Sequence, residues 1–224
     1  WMWDRLSSSD RDLASRMAVF EGDFSPAAAV AVAGATPVAL SSLADRSLVM
    51  VTGGRCRVHG LLRNFLVEKL NAETPVFENA HDHHASYFSS WAAALVPALI
   101  RHTENNSISE VIQEADNLGG AWHHAITRRN TDWLEPLAEV YFYFHRAMNR
   151  YAEGAALMTS ALAEISPSNA RAYARVGTFA GVLMMSLARY DQAITLLSTG
   201  VSTLKVSDDA NLLRIAYDAL GATA

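Results

Sequence analysis

The sequence predicts a mainly α fold in which one β-hairpin lies early in the chain and stacked helical hairpins follow. Three observations carry this. Up to Leu70 the segments run helix, helix, helix, hairpin, helix; from Glu78 onward every segment reads as helix; and the last third contains an internal repeat of 39 positions.

Ser9-Asp10 precedes Leu13, Met17 and Phe20 at helical spacing, so the first helix is expected to be capped near Ser8 or Ser9. Ser25 and Pro26 have N-cap and N1 chemistry for an alanine-rich helix that stops at Gly34. A third helix is expected from Val38 to Arg46. Ser47–Val51 and Arg55–His59 then form two β-rich runs joined through Thr52-Gly53-Gly54, a hairpin connection. The helix Leu61–Leu70 closes the unit, with Leu62, Phe65 and Leu66 in phase. This is winged-helix order, and it places a winged-helix domain at 1–75.

Beyond it, Pro97, Asn105-Asn106, Arg129-Asn130, Pro167 and Ser207-Asp208 mark the expected loops. Arg150-Tyr151-Ala152-Glu153-Gly154-Ala155-Ala156-Leu157 recurs as Arg189-Tyr190-Asp191-Gln192-Ala193-Ile194-Thr195-Leu196. The preceding helices match as well, with Leu134, Ala138 and Tyr141 at the offsets of Tyr173, Gly177 and Ala180. The period is a little above the roughly 34 residues of a tetratricopeptide unit, and a lone hairpin cannot bury its apolar face. The expectation is a tetratricopeptide-like α-superhelix over 131–224, reached through a helical linker or first hairpin at 76–130. Gly154, Ala161, Gly177 and Gly181 are read as close-approach positions. Ala210–Leu220 is read as the first half of a further hairpin, whose uncovered face would favour self-association.

Composition narrows the function. The net charge is -5, and half of the 224 residues are apolar, enough for a folded core without a polyelectrolyte partner. Ala27–Ala33 is too short to span a bilayer, and Trp91–Ile100 is interrupted by Pro97, so no membrane partner is expected. With one cysteine, Cys56, and no basic leader before an apolar run, the reading is cytoplasmic. The start, Trp1-Met2-Trp3, is read as a cut within a longer protein.

The candidate chemistry is sparse. His81-Asp82-His83-His84 has zinc-ligand residue types at poor spacing, with solvated histidines in the first turn of a helix starting at Asp82 as the other reading; His123-His124 diverge in the same way. No GxSxG or GxxxxGK[ST] occurs, and neither Gly53-Gly54 nor Gly119-Gly120 has phosphate-loop spacing. Cys56 alternates within a strand and is read as a small buried thiol. Tyr141-Phe142-Tyr143-Phe144-His145 is read as a core helix rather than a stacking surface. These observations predict no enzyme, no catalytic residue, no metal and no cofactor held by this chain. DNA binding through the third helix is the alternative function. However, Val38–Arg46 offers one base and one acid, and the chain up to Leu70 has 8 Lys/Arg against 7 Asp/Glu, which argues against nucleic acid. A free-standing tetratricopeptide-type scaffold is the other alternative.

Several strings together resemble the winged-helix region of bacterial STAND regulatory ATPases, relatives of NB-ARC and AfsR-like proteins. They are Trp3-Asp4-Arg5-Leu6, Met17–Phe24, Leu43–Val49 and Val58–Phe65, continuing into His84–Phe88, Glu114–Leu118 and the Arg150-Tyr151 hairpins. The resemblance implies an upstream nucleotide-binding P-loop domain, with ATP or ADP bound in the full-length protein. It also implies a helical sensor region for a protein partner or small effector, and a role in signal transduction. Val58-His59-Gly60 falls where such proteins have Met-His-Asp, so His59 would contact the ADP β-phosphate once the nucleotide domain is in place. Gly60 replaces the aspartate. The alternative for His59 is a structural histidine bonded to a backbone carbonyl.

Overall fold

The computed structural model describes residues 3–71, 74–101, 105–165, 169–205 and 209–221. Among them the chain is mainly helical, with twelve α-helices, one 3-10 turn and one two-stranded antiparallel sheet. It divides into two compact units, Trp1–Ser90 with Ser109–His124, and Trp91–Ile108 with Ala125–Ala224. Residues 109–124, read as part of a helical linker or first hairpin at 76–130, cluster with the first unit. The loops expected at Pro167 and Ser207-Asp208 lie outside the described residues.

In the first unit, α1 (Ser8–Met17) is capped by Ser7, whose hydroxyl accepts the Asp10 N–H at 3.1 Å, one residue earlier than expected. Helix α2 (Pro26–Ala33) has its Ser25 cap and ends on Gly34 at φ 70°. Helix α3 (Pro37–Asp45) starts one residue early because Thr36 caps it and Pro37 occupies its first turn. Strands β1 (Val49–Thr52) and β2 (Arg55–Val58) pair from Val49–Val58 to Thr52–Arg55. Since Thr52 joins the ladder, the connection shrinks to Gly53-Gly54, both at positive φ, a geometry glycine adopts without a Cβ clash. Phe24 and Cys56 exchange two backbone hydrogen bonds of 2.8 Å, fixing the start of α2 against β2. Helix α4 (Gly60–Asn71) follows.

Phe20 stacks on Phe24 with ring centroids 4.0 Å apart and meets the edge of Phe88. Met17, Leu43 and Leu66 complete a core whose side chains each contribute about 1.5–3 kcal/mol by burial. Helix α5 (Thr74–Arg101) passes through Pro97, where a loop was expected. Both Pro97 and Ala93, the residue whose carbonyl loses its donor, are exposed, so water can replace the missing bond. Asn105-Asn106 likewise opens α6 (Asn105–Gln113) rather than forming a loop. Helix α7 is Ala115–Thr127.

A buried polar layer ties these pieces together. Asn117, fully buried, accepts the Glu21 N–H and donates to the Asp23 carbonyl at 2.8 Å and to Glu114 at 2.9 Å. Arg55 completes it, donating to the Asp23 carbonyl at 2.7 Å and pairing with Glu114 at 2.6 Å.

The second unit contains α8 (Thr131–Ala147), α9 (Tyr151–Glu164), α10 (Ala170–Met185), α11 (Tyr190–Leu204) and α12 (Ala210–Gly221). Helix α10 packs against the other four, and Phe179 stacks on Phe142 of α8 at 4.5 Å. The repeat is also a repeat of backbone geometry. Asn149 and Ala188 both take left-handed φ, 55° and 57°, and the next residue in each case donates to a carbonyl of the last helical turn, Arg150 to His145 and Arg189 to Met184. Each of these bonds closes a helix end and turns the chain into the next helix. Close approach holds at Gly154, where a Cβ would lie 2.8 Å from His145, and at Gly181, 2.8 Å from Leu197. Gly177 differs, since a Cβ there would meet nothing nearer than Leu196 at 3.8 Å.

Candidate functional site

His59 stands between β2 and α4. Its Nδ1 accepts the Leu61 N–H at 3.3 Å and its carbonyl accepts the Arg63 N–H at 2.8 Å. The residue is therefore the N-cap of α4, and the imidazole bonds a backbone N–H rather than a carbonyl. An Nδ1 that accepts is unprotonated, so the neutral ring has its proton on Nε2. His59 is exposed, and a Cβ on Gly60 would meet nothing within 4 Å. A donor N–H at a positive helix end is thus open to solvent, an arrangement that suits an anion.

The histidine cluster is assembled differently from its expected place. Helix α5 begins at Thr74, with Pro75 in its first turn, so His81–His84 lie in the helix interior rather than at a start near Asp82. His84 is 1% exposed instead of solvated, against Phe20 and Phe88, and its Nε2 has no hydrogen-bond partner among the described residues. Burial, with the His81 charge second, lowers its pKa to about 3; the Asn117 side-chain bond opposes this. The His81 ring lies 5.3 Å from that of His124, and burial followed by the His124 charge lowers its pKa to about 4. His124 Nε2 lies 2.7 Å from Asp82, whereas His83 and His123 are exposed. Among the described residues no group of three or more His, Cys, Asp or Glu side chains is arranged to hold a metal ion.

Cys56 is buried, with burial raising its pKa, so the inactive thiol predominates. On α3 the exposed positions are Pro37, Val38, Ser41 and Asp45, with Arg46 exposed at the C-cap as the one base beside them. Phe142 to His145 are buried in α8, as a core helix requires.

Sequence reading missed two features of the second unit. The first is a charge clasp: Arg175 of α10 pairs with Glu139 of α8 and with Asp209, just before α12, while Arg171 reaches Glu135 at 3.6 Å. Burial, opposed first by Arg171 and then by Arg175, raises the pKa of Glu135. The second is a cavity of about 380 Å³ walled by Tyr143 and Arg146 of α8 and by Asn211, Arg214 and Asp218 of α12, with Val182 of α10, Ile100 and Ile215 supplying apolar surface. The i, i+4 pairs Glu135/Glu139 and Arg171/Arg175, opposite in sign on successive repeat helices, were a readable signal for the first. No such local pattern foretells the second.

No single helix among the described residues is long and apolar enough to cross a membrane. No protein-family model, curated protein or solved structure matches the chain.

Proposed function

We propose that the chain is the sensing and relay region of a STAND-type regulatory ATPase, non-catalytic in itself, with α1 to α4 as its winged helix and α8 to α12 as tetratricopeptide-like hairpins. The observation that carries this is the repeated hairpin geometry: α10 packs on α8, α9, α11 and α12, and the helix ends at Asn149 and Ala188 close in the same way. Stacked units of this kind present one continuous face to a partner. The order α1, α2, α3, β1, β2, α4 supports the winged-helix assignment.

In this reading an effector or protein partner binds the helical repeats in the cytoplasm, and the winged helix transmits the event to a nucleotide-binding domain elsewhere in the parent protein. His59 is the residue through which bound ADP is sensed, with its Nε2–H as the donor. Tyr217, exposed on α12, marks the surface for self-association. The test is made in the parent protein. His59→Ala should weaken ADP retention and raise basal oligomerisation while the fold persists, and a parent reading frame without a P-loop would exclude the assignment and leave a free-standing scaffold.

A further inference from the structure

The groove between α8 and α12 carries its own chemical preference, and from it we infer a ligand class: an aliphatic monocarboxylate. This deepens the reading that the helical repeats take an effector, and rests on it. Arg146 and Arg214 against Asp218 leave the groove one net positive charge in a chain whose net charge is -5. One positive charge matches a monoanion better than a phosphate monoester, which bears nearly two negative charges at neutral pH.

The two arginines differ in availability. Arg214 is engaged within its own helix, donating to Asp218 at 2.7 Å and to Asn211 at 3.2 Å. The Arg146 guanidinium lies 5.3 Å from the Phe142 ring centroid and has no carboxylate partner among the described residues. Resting on an aromatic face holds a guanidinium in place and leaves its N–H fork able to receive a carboxylate. The Tyr143 hydroxyl and Asn211 side chain both line the groove, which sets further donors near the same point. Ile100, Val182 and Ile215 offer branched aliphatic surface, with Tyr143 the one aromatic residue of the lining, and a volume of about 380 Å³ falls in the range of small-molecule sites. The carboxylate sits on Arg146 beside Tyr143 and Asn211, and the alkyl body lies along the isoleucines and valine. A free fatty or branched acid and a polypeptide ending in an aliphatic residue present the same chemistry.

The experiment is an NMR titration of the 224-residue chain with octanoate, octanamide, and a short leucine-terminated peptide with either a free or an amidated end. Methyl shifts at Ile100, Val182 and Ile215 with octanoate but not octanamide are expected, and Arg146→Gln should weaken them about tenfold. Asp218→Asn removes the competing carboxylate and should tighten binding a few-fold. Response to the free-ended peptide alone supports the proposal with a chain end as the source. Equal response to charged and uncharged forms, no response at millimolar ligand, or an Asp218→Asn variant that binds more weakly overturns it. No nucleotide or additional domain enters the measurement, so its failure is separate from that of the ATPase reading, which His59→Ala tests.

Discussion

Arg55 Nη2 stands 2.6 Å from Glu114 Oε1, joining the β-hairpin to the turn between α6 and α7. The Glu114 side chain is 9% exposed and Asn117 also binds it, so removing the arginine strands a buried carboxylate. Arg55→Met should therefore destabilise the first unit by about 2–3 kcal/mol, at the lower edge of a fully buried pair because Arg55 keeps some contact with water. Glu114→Gln, which retains an acceptor for Asn117, should lose less. Urea midpoints of the two variants give the ordering.

The repeat glycines should separate on substitution. Gly177→Ala should stabilise by up to about 1 kcal/mol through helix propensity, there being room for the methyl group. Gly181→Ala should destabilise by roughly 1–3 kcal/mol, since its Cβ would overlap Leu197 and approach the Ala193 carbonyl. Thermal melts showing both variants shifted the same way would refute the packing argument.

Ala188 has a side chain in a left-handed backbone conformation, at φ 57°. Ala188→Gly should raise stability by about 0.5–1 kcal/mol, and Asn149→Gly by less because asparagine tolerates that region better than alanine. Equilibrium unfolding of the two variants compares them directly.

His84 and His81 make the first unit acid-sensitive. Their folded pKa values, about 3 and about 4, lie below the ordinary 6.5, so the fold prefers the neutral rings. Their contribution is fully present above pH 6.5. As pH falls below 6.5 the unfolded chain takes up protons that the folded chain refuses, and stability drops by up to about 1.4 kcal/mol per pH unit for each ring. Part-exposed His81 contributes less of this than His84. The loss levels off only below pH 4 for His81 and pH 3 for His84. Denaturant midpoints measured from pH 7 to pH 5 should fall, and His84→Leu should flatten the slope.

What the sequence revealed about the fold was local. Ser25-Pro26 and Gly34 bound α2 because capping depends on neighbours in the chain, and Gly53-Gly54 specify a tight turn for the same reason. The repeat showed itself because equivalent helices repeat their burial pattern. Pro97 misled because a proline's effect depends on whether the freed carbonyl reaches water, a tertiary fact. Asn117 looked unremarkable, since its partners Glu21 and Asp23 lie more than ninety residues earlier. His59, read as the last residue of the second strand, stands one residue past it, and its capping bond was not read, because imidazole is not among the usual capping side chains.

The first unit is assembled from two separated stretches of chain, with eighteen residues of the second unit, Trp91–Ile108, threaded between them. On a ribosome this sets an order of events. The α1 to α4 core can collapse as it emerges, yet Asn117 and Glu114, which satisfy the Glu21 N–H and the Asp23 carbonyl and pair with Arg55, are made only after α5 is complete. Until then those groups depend on water. A recombinant fragment ended at residue 75 or 90 would be held in that unfinished state, so excising α1 to α4 alone should give a loose, protease-sensitive product, whereas ending after His124 should give one that closes.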